Sequence, residues 1–534
     1  MGNQYKEIKF SSILIQLLML KNYNMETKMN YFKKVMLLVF FGSMLLACTS
    51  KSGSQQKSDE TTEEKPNIVF ILVDDLGYGD IGCFGQEKIQ TPAIDQLAEE
   101  GMRFTQSYAG NAVCAPCRST LMQGLHPGHA RVRGNGYKDY REALQEGDYT
   151  VAMMLKEAGY KTGLFGKWGL ALHNQYGIPN KMGFDEFYGY LNQRHAHNQY
   201  PEFLYHNAER VYFPENGTHH IYKNYRSEQT YDENGICQPL GIENPSKAKY
   251  AFDVYCEKSL EFVRENKDNP FFLYLAYTPP HGAHVVPELG IYTDKDWSLS
   301  HKVYAAMITR VDTEIGKLMQ LLKELNIDEN TLVVFVSDNG NTNGNSKDEE
   351  IPTKTFFNNE SPRAGQKGDI LDGAFHVPGI ARWPQQIKPG QTSNHIWAMW
   401  DFLPTAAEII GVNPPDGLDG ISILPTLLGE TEKQKKHDFL YWEYKEEQSV
   451  RMGNWFGYKN FDGKLEIYDL EKNPEQDNDL SADFPDIAQK INEIMKAEHS
   501  PSDVWPSPGE SYEEFKQRMI KQGVPERPKN VADF

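Results

Sequence analysis

Three stretches of the chain are unbroken apolar runs rich in β-branched and aromatic residues: NIVFILV from Asn67, FFLYLAY from Phe271 and TLVVFVS from Thr331. Runs of this kind suit strands covered on both faces of a parallel sheet. Ahead of the third run, Tyr304, Met307, Val311, Ile315, Leu318 and Leu322 recur at three- and four-residue steps and give a helix one apolar stripe. Thr150 before VAMMLKEAGY reads as an N-cap, and Gly159 as the matching stop before the strand-like YKTGLFG. Strands alternating with such helices imply a doubly wound α/β core. Beyond about residue 435 the texture changes: FLYWEY, SVRMGNWFGY and KLEIYDL read as short aromatic strands and IAQKINEIMKAE as a helix, an α+β subdomain. The Pro-rich end from residue 501 is expected to be irregular, and no internal repeat is visible.

A chain of 534 residues has room for one large domain and a smaller one, and 24% charged with 39% hydrophobic residues is ordinary globular usage. That composition excludes a disordered chain or a multispanning membrane protein. The formal net charge is −19, and the first 47 residues hold six Lys and two Glu, so the remainder is more acidic still. Such a body repels nucleic-acid phosphates, and an anionic substrate must be captured by a local basic pocket acting against the global field.

The start of the chain carries an address. After Met29 come Lys33-Lys34, an apolar stretch from Val35 to Leu46, then Ala47-Cys48. The run is too short for the roughly 20 residues that a bilayer-spanning helix needs. Leu45-Leu46-Ala47-Cys48 resembles a bacterial lipoprotein signal, which implies a lipidated Cys48, a place in the bacterial cell envelope, periplasmic or at the cell surface, and membrane contact through the lipid only. Residues 1–28 read as an overlong start, and the polar segment after Cys48 as a tether. The expected organisation is a signal region at 1–47, a tether at 48–65, a catalytic domain at 66–435 and a C-terminal subdomain at 436–534.

Asp74-Asp75 directly follows the first buried strand, and ligand sites of open α/β sheets gather at strand C-terminal ends. Two adjacent carboxylates there grip a hard cation or merely make a solvated turn. Asp338-Asn339 follows another buried strand and adds a carboxylate and an amide oxygen. Together the four form an all-oxygen set that suits Ca²⁺ or Mg²⁺ rather than Zn²⁺. Cys114-Ala115-Pro116-Cys117-Arg118 continues to Gly124. Read alone, Cys-x-x-Cys is a redox pair or half a metal knuckle; a redox pair has no need of Arg118, and a knuckle needs a second pair.

That segment resembles the sulfatase signature C-x-P-S-R-x-x-x-x-x-G, with Cys117 where Ser is usual. Gly166-Lys167-Trp168, Thr278-Pro279-Pro280-His281 and Gly365-Gln366-Lys367-Gly368, followed by Asp372-Gly373-Ala374-Phe375-His376-Val377-Pro378, resemble further segments of the family in the same order, so the likeness runs from about residue 66 to about 480. It implies an alkaline-phosphatase-like sandwich, a large central mixed sheet flanked by helices. It also implies Cys114 oxidised by a maturation enzyme to formylglycine (3-oxoalanine), which is both nucleophile and metal ligand beside Asp74, Asp75, Asp338 and Asn339. Arg118 then holds the nucleophile, Lys167 and Lys367 bind the sulfate, and His281 protonates the departing oxygen. With Cys48 lipidated and Cys114 modified, four cysteines remain, and an envelope location permits them to pair.

The chain departs from the family's common G-K-W-H at Gly169. His173, or one of Arg194, His195 and His197, is left to fill that role, unless the second step differs. Asp372 and His376 replace Glu and Arg. Arg194, His195 and His197, followed by Tyr200-Pro201, are expected to bind sugar hydroxyls or a second anion, or else to be helix-surface or core residues, and Trp442, Trp455 and Tyr458 to stack on pyranose rings or pack in the core. The expected substrate is a sulfated glycan or its fragments, with galactose or N-acetylgalactosamine sulfates foremost. The rival readings are a phosphatase or phosphonate monoester hydrolase of the same superfold and an inactive glycan-binding lipoprotein.

Overall fold

The computed structural model describes residues 64–534 apart from 139, 174, 218–229, 240–241, 243, 343–350, 360, 503–504, 506–509, 525 and 527–534. The signal region, Cys48 and nearly all of the tether therefore lie outside the described residues.

The central sheet contains β1 (Asn67–Asp74), β2 (Met102–Phe104), β3 (Lys161–Lys167), β4 (Glu186–Tyr190), β5 (Phe203–His206), β6 (Glu209–Tyr212), β7 (Phe271–Pro280), β8 (Thr331–Ser337), β9 (Gly379–Arg382) and β10 (Gln391–Ser393). Their spatial order is β10-β2-β9-β8-β1-β7-β3-β4-β5-β6. The three apolar runs are its centre, with β1 between β7 and β8 and parallel to both. Parallel pairing continues through β3 and β4, whereas β9, β5 and β6 join antiparallel, so the sheet is mixed.

Helices cover both faces, which is why the central strands are apolar throughout. The principal ones are α1 (Cys114–Gln123), α2 (Val151–Glu157), α3 (Ala251–Asn266), α4 (Leu299–Glu324) and α5 (Phe402–Ile409). Val69, Ile71 and Val73 share one core with Phe252 and Val263 of α3 and with Val311, Ile315 and Leu318 of α4. The alternate residues Ile68, Phe70 and Leu72 share the other with Leu121 of α1, Leu155 of α2 and Leu403 of α5. Thr150 caps α2 by accepting the Met153 N–H at 3.1 Å. Gly159, at φ +90°, turns the chain from that helix into β3.

The C-terminal part is an antiparallel meander of β11 (Leu440–Tyr444), β12 (Glu447–Met452), β13 (Trp455–Lys459) and β14 (Leu465–Asp469). One face packs Tyr441, Val450 and Ile467 against Ile491 and Met495 of α6 (Pro485–Ala497). The other is sealed on the core: Trp442 is fully buried, stacks on Phe375 at 4.4 Å and donates its indole N–H to the Ala109 carbonyl at 3.0 Å. Trp442 is thus a packing residue and cannot stack on a sugar. Trp455 lies against Phe484. Residues 64–534 form one compact unit, so the change of texture near 435 divides two sheets and not two separate bodies.

One further expectation is corrected. The end of the chain is not wholly irregular, because α7 (Tyr512–Gln522) starts at a reciprocal Ser511/Glu514 cap and buries Phe515 and Met519 beside Tyr140. No disulfide joins Cys83, Cys114, Cys117, Cys237 or Cys256 among the described residues, although an envelope location would permit pairing.

Candidate functional site

Parallel strands deliver their C-terminal ends to one edge of a sheet, and the next residues of each become neighbours there. Asp74 and Asp75 close β1, Lys167 closes β3, His281 follows β7, Asp338 and Asn339 follow β8, and Cys114 opens α1. Asp75 turns with φ +66°, a region that Asp tolerates better than most residues. Its N–H donates to Asp338 Oδ1 at 3.2 Å, and the Leu76 N–H donates to Ser337 Oγ at 3.0 Å, so the ends of β1 and β8 are tied together.

Three cations and three carboxylates interlock. Arg118 Nη2 lies 3.3 Å from Asp74 Oδ2 and 3.0 Å from Asp338 Oδ2, while its Nη1 donates to the Lys167 carbonyl at 2.6 Å. Lys167 Nζ pairs with Asp74 Oδ2 at 2.5 Å. Lys367 Nζ pairs with Asp75 Oδ1 and lies 3.6 Å from Cys114 Sγ. Asn339 Nδ2 donates to Asp75 Oδ1 at 2.8 Å.

This donor set fits a hard cation. Asp74 Oδ1 and Asn339 Oδ1 are buried oxygens without a hydrogen-bond partner among the described residues, an expensive arrangement unless something else satisfies them. Burial and the neighbouring Asp74 carboxylate push Asp338 up to about 7 against the pull of Arg118 and Lys167. Asp74, Asp75, Asp338 and Asn339 would hold the ion, with position 114 alongside; Asp74, Asp75, Cys114 and His281 present ligating atoms within 4.8 Å of one another.

Burial would raise Asp74, but Lys167, His281, Arg118 and Lys367 together hold it well below the usual carboxylate range. Burial pushes the Cys114 thiol up, Asp74 adds to this, and the two lysines only partly oppose it. An unmodified Cys114 is therefore a protonated thiol and a poor nucleophile. Cys117 turns the other way, accepting the Gly110 N–H at 3.3 Å and touching Met399 Sδ at 3.2 Å, so the two cysteines are not poised as a redox pair.

His281 keeps Nδ1 on the Gly282 carbonyl at 2.5 Å and turns Nε2 toward Asp75 Oδ2 at 3.6 Å. Burial lowers it to about 4, and Lys367 and Lys167 add to that against the pull of Asp75 and Asp74. The His197 ring stacks on it with centroids 4.5 Å apart. His195, grouped with His197 by sequence, is instead fully buried between Tyr190 and Phe203, which makes it a core histidine. Arg194 begins the same turn and is half-buried. Gly169 has φ +81°, so a side chain at this position would strain the backbone, although a Cβ there would meet Arg118 Cδ and Gln193 Cγ only at an ordinary contact distance of 3.5 Å. His173 stacks on Tyr205. Asp372 and His376 are supports: Asp372 pairs with Arg363 at 2.5 Å, and His376 binds Ser361 and the Thr105 carbonyl.

Sequence reasoning missed the braces of the site. Asp80 accepts the Gly77 N–H at 2.6 Å, the Tyr304 hydroxyl at 2.7 Å and the Asn359 amide, and so fixes the loop that leaves Asp75. A third Asp five residues after the pair was the available signal. Asn135 Oδ1 accepts the Ala115 N–H at 3.0 Å and anchors the start of α1, with no sequence signal beyond its being a polar loop residue.

A second group of ligating side chains, His126, His129 and Glu498, does not fit a metal as it stands. His126 Nδ1 accepts the Gly128 N–H at 3.1 Å, which leaves the proton on Nε2, the atom facing Glu498 at 3.1 Å. With Asp419 on His129 at 3.0 Å, the cluster is a hydrogen-bonded tie between core and C-terminal helix.

The chain is similar to known proteins over most of its length. Residues 66–412 match the sulfatase family, and residues 366–500 match the C-terminal part of N-sulphoglucosamine sulphohydrolase. An N-acetylgalactosamine-6-sulfatase of Rattus norvegicus is 30% identical over 384 residues, 68% of this chain and 66% of that protein, so the match spans just under two thirds of this relative. An N-acetylgalactosamine-6-O-sulfatase of Bacteroides thetaiotaomicron is 26% identical over 525 residues and covers 85% of this chain and 96% of its own length. The crystal structure of Ps i-CgsB in complex with k-i-k-neocarrahexaose superposes with a TM-score of 0.67 at 25% identity, covering 86% of this chain and 98% of that one. With the family match extending over more than half of the residues and across every strand that feeds the site, the chain belongs to the sulfatase family.

Proposed function

We propose that this protein hydrolyses sulfate esters of a carbohydrate, with a nucleophile made by oxidising Cys114 and a divalent cation, Ca²⁺ or Mg²⁺, on Asp74, Asp75, Asp338 and Asn339. The observation that carries the reading is the set of Lys167, Lys367 and Arg118 gathered on Asp74, Asp75 and Cys114, beside buried oxygens left without hydrogen-bond partners among the described residues. The relatives named above act on or bind sulfated or related sugars by their descriptions, which supports a glycan substrate, and galactose or N-acetylgalactosamine sulfates are the first to try.

The residues divide the work. Lys167 and Lys367 meet the spread negative charge of the ester in a buried site where ammonium groups act strongly. Arg118 locks Asp74, Asp338 and the end of β3 so that these groups stay in register. His281 gives its Nδ1 N–H to the Gly282 carbonyl and turns Nε2 into the site, where, once protonated, it would serve as the acid for the departing sugar oxygen. An oxidised Cys114 would supply an oxygen nucleophile, and the cation would polarise the ester oxygens as a Lewis acid. Maturation by a formylglycine-generating enzyme and lipid anchoring through Cys48 in the bacterial envelope belong to the same reading.

The experiment is release of inorganic sulfate from a panel of monosulfated sugars by protein matured in a competent host, with the mass of the peptide spanning Cys114 read in parallel. Sulfate release with an oxidised 114 supports the reading. Binding of sulfated sugars without turnover, with an intact thiol, would favour an inactive glycan-binding lipoprotein, and turnover of phosphate or phosphonate esters alone would favour the phosphatase alternative.

A further inference from the structure

His197 closes a short turn, His195–His197, that is firmly held. The Ala196 N–H donates to the Asn192 carbonyl at 3.1 Å, the Asn198 N–H to the His195 carbonyl at 3.0 Å, and the Tyr190 hydroxyl to the Asn198 carbonyl at 2.5 Å. Two residues on, Gln199 Nε2 reaches the His281 carbonyl at 3.5 Å, so the turn is fastened to the backbone of the very residue on which His197 stacks. The two rings lie 30° from parallel with centroids 4.5 Å apart.

Three features mark His197 as more than a packing partner. His195, in the same turn, is sealed in the core, whereas His197 is only half-buried and borders the site. Its ring stacks on that of His281, the residue assigned to the departing oxygen. The charges of His281, Lys167, Lys367 and Asp74 reach it, so it stands beside the charged groups of the site. An imidazole nitrogen donates to, or accepts from, a hydroxyl.

Resting on the hydrolase reading above, we propose that His197 is a specificity-determining residue that hydrogen-bonds a hydroxyl of the sugar next to the departing oxygen, and thereby favours sugar sulfates over aryl sulfates. Stacking on His281 places it on the leaving-group side of the site. A site built to pair a hydroxyl discriminates against a substrate lacking it, because the polar group is then left unmatched.

The test compares kcat/KM for a monosulfated sugar and for 4-nitrophenyl sulfate in the wild type and in His197→Ala, His197→Phe and His197→Gln, each first checked for an unchanged melting curve. The ratio of sugar to aryl turnover should fall about tenfold in the Ala and Phe variants, the scale of one lost hydrogen bond, and recover in part with Gln. An unchanged ratio in all three, or a Phe variant with the wild-type ratio, would show that His197 only props the ring of His281 and would overturn the inference. Failure of the wild type on both substrates would overturn the hydrolase reading, and this inference with it.

Discussion

The ammonium of Lys367 serves two groups at once: Nζ pairs with Asp75 Oδ1 and lies 3.6 Å from Cys114 Sγ. It is thus placed where an attacking atom at 114 and the ester oxygens would meet. Burial works against its charge, but the Asp75 and Asp74 carboxylates hold its pKa above the usual lysine value, so the cation persists through the neutral range. Lys367→Met should lower kcat/KM for a sulfated sugar by about 10²–10³-fold, the scale of removing one preorganised donor. Steady-state sulfate release measures it, and a loss below about threefold would remove Lys367 from the chemistry.

Arg118 is the keystone of the buried charges, fully enclosed and shared by Asp74, Asp338 and the Lys167 carbonyl. Arg118→Met leaves two buried carboxylates without their shared cation, which should cost about 3–5 kcal/mol of stability in urea unfolding. Arg118→Lys should recover little of this, since one ammonium cannot reproduce the fork that spans two carboxylates and a carbonyl. A Met variant as stable as the wild type would mean that Asp338 sheds its charge at no cost.

Removal of divalent cations should stop turnover, and addition of Ca²⁺ or Mg²⁺ should restore it. A ligand that binds only the folded state stabilises it by about 2.7 kcal/mol at 100 times its Kd, so the melting temperature should also rise as the ion is titrated into stripped protein. A melting curve indifferent to both ions would contradict the four-oxygen site, whatever happens to activity.

Asp80 gives a pH signature. Burial raises it, and its three hydrogen-bond donors only partly counter this, leaving it at about 7 against an ordinary 3.8. The folded state therefore binds a proton between about pH 4 and pH 7 that the unfolded chain has released, and this group's contribution to stability falls as pH rises through that window. In Asp80→Asn the stability difference between pH 5 and pH 8 should shrink relative to wild type. Denaturant midpoints at the two pH values check this, and an equal slope in both proteins would contradict it.

Much of the site could be read in the sequence because it hangs on the most regular part of the fold. NIVFILV and TLVVFVS can only be doubly covered strands, and in a parallel sheet the Asp-Asp and Asp-Asn that follow them must end side by side. What could not be read depends on tertiary contacts. Trp442 looks like a sugar platform until Phe375 is found stacked against it, and His195 and His197, two residues apart, separate into core and site only because a tight turn points them differently. Gly169 is a glycine because its backbone is left-handed and Gln193 Nε2 binds its carbonyl at 2.7 Å, which no local pattern announces. Helix α7 was legible in part, since Ser511-x-x-Glu514 is a capping pair, but the flanking prolines masked it.

The most direct measurement is inorganic sulfate released from a monosulfated sugar by the matured protein and by its Cys114→Ala variant, prepared alike and shown to melt alike. The expected result is multiple turnovers by the former and none above the uncatalysed background by the latter. Sustained turnover by the alanine variant would contradict a nucleophile made from Cys114, and with it the proposed route of sulfate ester hydrolysis.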